Sequence, residues 1–314
     1  MPSASPSAPS AATLAVPIAL MALVGGAVAM GASPVFVRFA EVGPFVSAFW
    51  RVGLALPALL IWAIIEQRRA GRPLFKALRF DRAVLLAGLF FVGDLTFWHV
   101  AILNTTIANA TLLSCLAPVW VVLLSGTFIG EPVDRRVFYG LALCLVGAAF
   151  LIGENMALAP ERLKGDLAGV ATSFFFGLYF LAMRVARRTH SAGTATFLSA
   201  CITASGLLIV ALIGGGPMWP QTTEGVQALL ALSLFSQVIG QGLLSVALGA
   251  LSAAFGSLVI FVEALAAAVL GWAVLDETIS LVQAAGGALI LSGIWIARPR
   301  KQPDTVSPAA PVVP

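Results

Sequence analysis

Two carboxylates stand deep inside apolar runs. Asp94 is 11 residues into a run of 22 (83–104), and Glu263 is 11 residues into a run of 24 (252–275). Neither side chain can reach water at a helix end from there. Ionisable groups so placed are costly and are usually kept for function. Each could hold an ammonium group or take up a proton. Each could equally be hydrogen-bonded to a neighbour and serve only to join two helices.

Other polar groups collect in the same kind of run. Trp98 follows Asp94 by four residues on one helix face, where an indole could stack on a flat or cationic solute or simply pack. His99 is rotated about 100° further round, which suits helix packing as well as binding. Ser233, Gln237, Gly240 and Gln241 share a face, with Ser236 beside it, and lipid does not tolerate such a stripe. Asn109, Thr111 and Ser114 precede Pro118, whose missing N–H frees a carbonyl and makes a hinge. Pro34 is a second hinge, and Pro57 could kink its helix likewise. Phe175 and Tyr179, four apart, could line an apolar pocket. Arg51 is expected to anchor to Glu41, and Glu131 and Glu277 to cap equivalent helices. Cys115, Cys144 and Cys201 lie in apolar runs and read as buried small hydrophobes.

Composition sets the elements that must position these groups. The chain is 60% hydrophobic and 10% charged, with a mean hydropathy of +0.99. Soluble domains carry about a quarter charged residues, so lipid must be most of the solvent. Crossing about 30 Å of hydrocarbon at about 1.5 Å per residue takes some 20 apolar residues. Such runs fall near 17–37, 44–65, 83–104, 107–129, 137–153, 165–184, 193–214, 225–249, 252–275 and 281–297. Runs this continuous are helices and not barrel strands. Residues 1–16 and 298–314 read as disordered ends.

With the first residue inside, the inner segments hold fourteen basic residues: Arg68, Arg69, Arg72, Lys76, Arg79, Arg82, Arg135, Arg136, Arg184, Arg187, Arg188, Arg298, Arg300 and Lys301. The outer segments hold three, Arg38, Arg162 and Lys164. That bias places both termini in the cytoplasm. The net charge of +4 is therefore a topology signal and not a nucleic-acid patch.

A shift of 146 residues superposes the chain on itself. Arg38 falls on Arg184, Val100-Ala101 on Val246-Ala247, Ala108 on Ala254, Glu131 on Glu277, Gly140 on Gly286 and Gly147 on Gly293. Rare charges and paired glycines recurring at one offset point to a duplication. A unit of five helices is odd in number, so the second copy must enter the membrane inverted. Inverted repeats suit alternating access, because equivalent halves can exchange conformations.

Enzymatic classes are poorly served. The two histidines, His99 and His190, are far apart. There is no H-E-x-x-H helix, G-x-S-x-G elbow or G-x-x-x-x-G-K-[ST] loop, and Val92-Gly93-Asp94 has no matching second aspartate. A channel is disfavoured because its pore groups usually repeat. Here Asp94 stands opposite Gly240, and Glu263 opposite Ala117, at the repeat offset.

Ala32-Ser33-Pro34-Val35-Phe36-Val37-Arg38, followed by Phe49-Trp50-Arg51, resembles the start of EamA-type members of the drug/metabolite transporter superfamily. So do Asp94-Leu95-Thr96-Phe97-Trp98-His99, Ala108-Asn109-Ala110-Thr111-Leu112-Leu113, Ala117-Pro118 and Gly130-Glu131-Pro132. Leu275-Asp276-Glu277 and the Gly286-to-Gly293 helix are similar to the end of that family's repeat. The likeness spans about residues 18–297.

The resemblance implies an all-α integral membrane fold of ten transmembrane helices, in two inverted-topology five-helix repeats around a central cavity. Its members carry amino acids, other metabolites or drugs. The first repeat is expected over 17–153, a connecting loop over 154–164 and the second repeat over 165–297. The expected protein is an inner-membrane secondary carrier exporting small organic metabolites, with hydrophobic or aromatic amino acids among the candidates. A multidrug or other metabolite carrier is the alternative. The expected site lies between the halves. It uses Asp94 and Glu263 as charge partners, Gln237 and Gln241 as hydrogen-bonders, and Trp98 and Tyr179 as apolar walls, with His99, Asn109 and Ser114 beside them. The expected partners are a solute, the bilayer and a coupling proton. No cofactor, metal or nucleic acid is expected, and a monomer suffices.

Overall fold

The computed structural model describes residues 16–73, 77–153, 159–275 and 279–299. The tails expected to be disordered, apart from Val16, Arg298 and Pro299, lie outside these residues, as do Lys76 and Glu277. Among the described residues the chain is helical, without a strand. Ten apolar segments follow in order: α1 (Val16–Val37), α2 (Pro44–Arg69), α3 (Arg82–Asn104), α4 (Asn109–Ile129), α5 (Arg135–Ile152), α6 (Pro160–Ala186), α7 (Ala192–Gly214), α8 (Thr223–Leu248), α9 (Ala253–Leu270) and α10 (Leu281–Ala297). Among the described residues, nine are long and apolar enough to cross a membrane, and α10, at 17 residues, is shorter. Leu281 is 91% exposed and Ile213 82%, which only a lipid surround makes favourable over so large a surface.

Side chains fix where the helices start. Asp81, Thr106, Asp134, Thr222 and Ser252 each accept a backbone N–H of the first turn, and Ser280 with Gln283 forms a capping box. Each cap satisfies a donor that the helix itself leaves orphaned. Three segments break just before a proline. Pro34 opens Ser33–Phe39, Pro57 opens Leu56–Arg69 and Pro118 opens Ala117–Leu124. In α8, residues Leu232–Gln241 form a π-helix, so the polar stripe lies on a widened coil.

The duplication is visible in the packing. A methyl carbon built on Gly140 would stand 2.5 Å from the Gly293 carbonyl, and one on Gly147 would stand 2.6 Å from that of Gly286. The first contact becomes the second under the 146-residue shift. As position rises along α5 it falls along α10, so these equivalent helices cross antiparallel. A second pair of contacts agrees. Gly177 of α6 packs on Ala117 and Trp120 of α4, as Gly31 of α1 packs on Glu263 and Ala266 of α9. A third places Thr172 Oγ1 3.4 Å from the Asp94 carbonyl and Gly26 against that of Gly240. Small residues allow this backbone approach where lipid supplies no hydrophobic drive. Two inverted five-helix repeats are thus packed about a common two-fold relation.

Candidate functional site

The close crossings of α3 with α6 and of α1 with α9 bring Asp94 and Glu263 into the middle of the bundle. Asp94 is 6% exposed and Glu263 half-buried. Neither carboxylate forms a hydrogen bond or an ion pair within 4.0 Å with a described residue. The cation in electrostatic range of both is Arg51. It lies seven residues into α2, about 10 Å along the helix axis, and its guanidinium is in electrostatic range of Glu263, Asp94 and the Tyr179 hydroxyl. Its Nε is buried without a hydrogen-bond partner among the described residues. An arginine at membrane depth costs about 2.5–3.5 kcal/mol on insertion scales. Among the described residues no carboxylate contacts it directly.

Polar groups from four more positions lack partners among the described residues. The Gln67 Oε1, the Thr96 hydroxyl, the His99 Nε2 and the Gln237 Oε1 are buried and make no hydrogen bond among the described residues, Gln67 lying near the far end of α2. His99 Nδ1 is 2.6 Å from the Leu95 carbonyl, which can only accept, so Nδ1 carries the proton and Nε2 is the acceptor of the neutral ring. Gln237 is 2% exposed, and the π-helix carries it inward with Ser233, Ser236 and Gln241. Buried polar atoms are nearly always satisfied, so the unpaired groups on α2, α3 and α8 are candidates for contact with a solute.

Aromatic rings shape the neighbourhood. Tyr179 of α6 is 2% exposed and its hydroxyl donates to Gln241 Oε1 at 2.9 Å. Its ring stacks on Phe91 with centroids 4.7 Å apart. Its hydroxyl is thus held inside the bundle by Gln241 while its ring packs on Phe91. Phe175 turns elsewhere, stacking on Phe97 at 5.4 Å and pressing on Gly93, so it and Tyr179 do not line one pocket. Trp98 is half-buried and meets the His99 ring edge-on at 5.0 Å.

Other expected residues fall outside this group. Asn109, at the start of α4, donates to Asp166 Oδ1 at 3.0 Å and accepts from Thr106 Oγ1 at 2.9 Å, tying that helix end to α6. Ser114 donates to the Thr111 carbonyl of its own helix at 2.8 Å. Pro34 and Pro118 do stand at helix breaks, although only the backbone of Pro34 is described. Glu41 accepts from the Thr222 backbone N–H and hydroxyl, the latter at 2.7 Å, and does not pair with Arg51. The reading from sequence did not include Arg51 or Thr96 among the candidate site residues. The signal for Arg51 was present: it is the one basic residue lying well inside an apolar run.

Comparison with known proteins agrees with this architecture. A transporter of Archaeoglobus fulgidus, itself uncharacterized, is 29% identical over 279 residues, covering 88% of this chain and 94% of the relative. The pseudopaline exporter CntI of Pseudomonas aeruginosa is 24% identical over 242 residues, covering 76% and 80%. A crystal structure superposes with a TM-score of 0.75 at 22% identity, over 89% of this chain and 96% of that one, which supports the fold alone. The model of the EamA-like transporter family matches residues 17–153 and again 163–298, one match per repeat. The chain is a multi-pass membrane protein and belongs to the EamA-like transporter family.

Proposed function

We propose that this transporter exports a small zwitterionic metabolite, with hydrophobic or aromatic amino acids as the first candidates, across the inner membrane by alternating access. The observation that carries this reading is the group of Arg51, Asp94 and Glu263, in electrostatic range of one another but without a direct ion pair among the described residues. Arg51 is the partner for a carboxylate, which its planar fork binds in two-point fashion. Asp94 or Glu263 receives the ammonium group or, between solutes, a proton. Gln237 and Gln241 supply further hydrogen bonds, and Trp98 offers an apolar face. The similarity to an exporter favours outward movement. The excess of basic residues on one face supports a topology with both termini in the cytoplasm.

Counterflow in proteoliposomes tests this. Vesicles preloaded with unlabelled L-phenylalanine, L-leucine or L-lysine are diluted into the labelled amino acid. Saturable exchange of phenylalanine or leucine, lost on Asp94→Asn, is expected. Non-saturating flux would indicate a pore, and no exchange of any amino acid would turn the reading to other metabolites or drugs.

A further inference from the structure

At the arginine-rich face, Glu131 follows the end of α4 after Gly130, whose φ of 69° turns the chain sharply. Its Oε1 accepts from Arg184 Nε at 2.6 Å and Arg188 Nη2 at 3.4 Å, and its Oε2 accepts from the Ala253 backbone N–H at 3.1 Å. Arg184 Nη1 also donates to the Leu248 carbonyl at 2.6 Å. One carboxylate of the first repeat thus holds the end of α6, the end of α8 and the start of α9, all in the second repeat. Under this network Phe180, Met183, Ala186, Leu248, Ala253 and Phe255 are each at most 2% exposed. Along α6, the buried Phe180 and Met183 stand between Tyr179 and Arg184. The side chains of Glu131 and Arg184 are only 16% and 20% exposed, so the pair is stronger than a surface ion pair.

The two charged residues that recur at the 146-residue offset, Arg184 (with Arg38) and Glu131 (with Glu277), are the two members of this ion pair. We infer that Glu131 and Arg184 form a lock between the repeats that keeps the arginine-rich face shut and must open for the central group to reach that side. This rests on the carrier reading only in supposing that the face opens at all. Arg188 and the Ala253 N–H are auxiliary donors. They add to the hold but leave Glu131 with less charge compensation once Arg184 lets go.

Ser257 tests the lock without any solute. It is fully buried, one turn beyond Ala253 towards Glu263. Ser257→Cys is labelled with a membrane-impermeant maleimide in inside-out and right-side-out vesicles, with the chain lacking that cysteine as background. Glu131→Gln and Arg184→Gln are combined with it singly and together, each checked for monodispersity by size exclusion. The lock predicts slow labelling from both sides in the parent. Each single variant should speed labelling at least tenfold from one face only, with the double variant no faster than either single one. Unchanged labelling, acceleration from both faces, or additive effects in the double variant would overturn it. Because no transport is measured, a failed flux panel with one-sided labelling would discard the substrate and keep the lock.

Discussion

Gly140 and Gly293 meet backbone to backbone where α5 crosses α10, each pointing its missing side chain at the other's carbonyl, 2.5 and 2.6 Å away. Gly147 and Gly286 repeat the contact two turns along. Cys144, midway, approaches the carbonyl of Ile290, its own counterpart at the 146-residue offset. The symmetry relation of the two halves therefore passes through this crossing, and nothing larger than hydrogen fits there.

Gly140→Ala and Gly293→Ala should each destabilise the protein. Alanine normally stabilises a helix by about 0.8–1 kcal/mol relative to glycine, but overpacking costs about 1–3 kcal/mol. The melting temperature in detergent should fall by a few degrees. Gly126→Ala, where a methyl would meet nothing within 4 Å, should leave it unchanged or raise it.

Arg51→Lys should weaken apparent affinity in flux assays by about 10- to 100-fold while the protein stays monodisperse. Hydrogen bonds to charged groups contribute about 1.5–3 kcal/mol, and lysine keeps the charge but loses the two-point fork. Unaltered affinity would remove Arg51 from the site.

Asp94→Asn should abolish transport or detach it from the pH gradient without unfolding the chain. Its carboxylate makes no hydrogen bond or ion pair among the described residues for the amide to break. Normal rate together with normal pH dependence would show that Asp94 is a passive core group.

Asp81 gives a pH signature outside the membrane-spanning segments. Burial pushes its carboxyl upward, but hydrogen bonds from the Val84 N–H, His190 and Thr189 outweigh this and hold it below the ordinary value of 3.8. A carboxyl lowered on folding adds stability above its unfolded value, and that stability is lost as pH falls through the folded one. Asparagine caps a helix about as well, so Asp81→Asn isolates the charge. Between about pH 5 and pH 3 the wild-type melting temperature should fall more steeply than that of Asp81→Asn.

The sequence by itself determined the membrane setting, the ten segments and the duplicated, inverted organisation. These follow from quantities that accumulate along the chain: apolar run length, the side on which arginines fall, and a fixed offset between rare residues. Asp94 and Glu263 were legible for the same reason, since depth in a run is a one-dimensional property. Which polar groups meet was decided only by the tertiary structure. Arg51 faces Asp94 and Glu263 while Glu41 turns to Thr222. Asn109 is held by Asp166, and Tyr179 by Gln241. Helical spacing names the face a residue occupies on its own helix. The rotation of that face depends on where small residues of several helices touch at once, and in α8 on a π-helical stretch that widens the coil. Partners across the bundle are set by that joint packing, and no single run of sequence contains it.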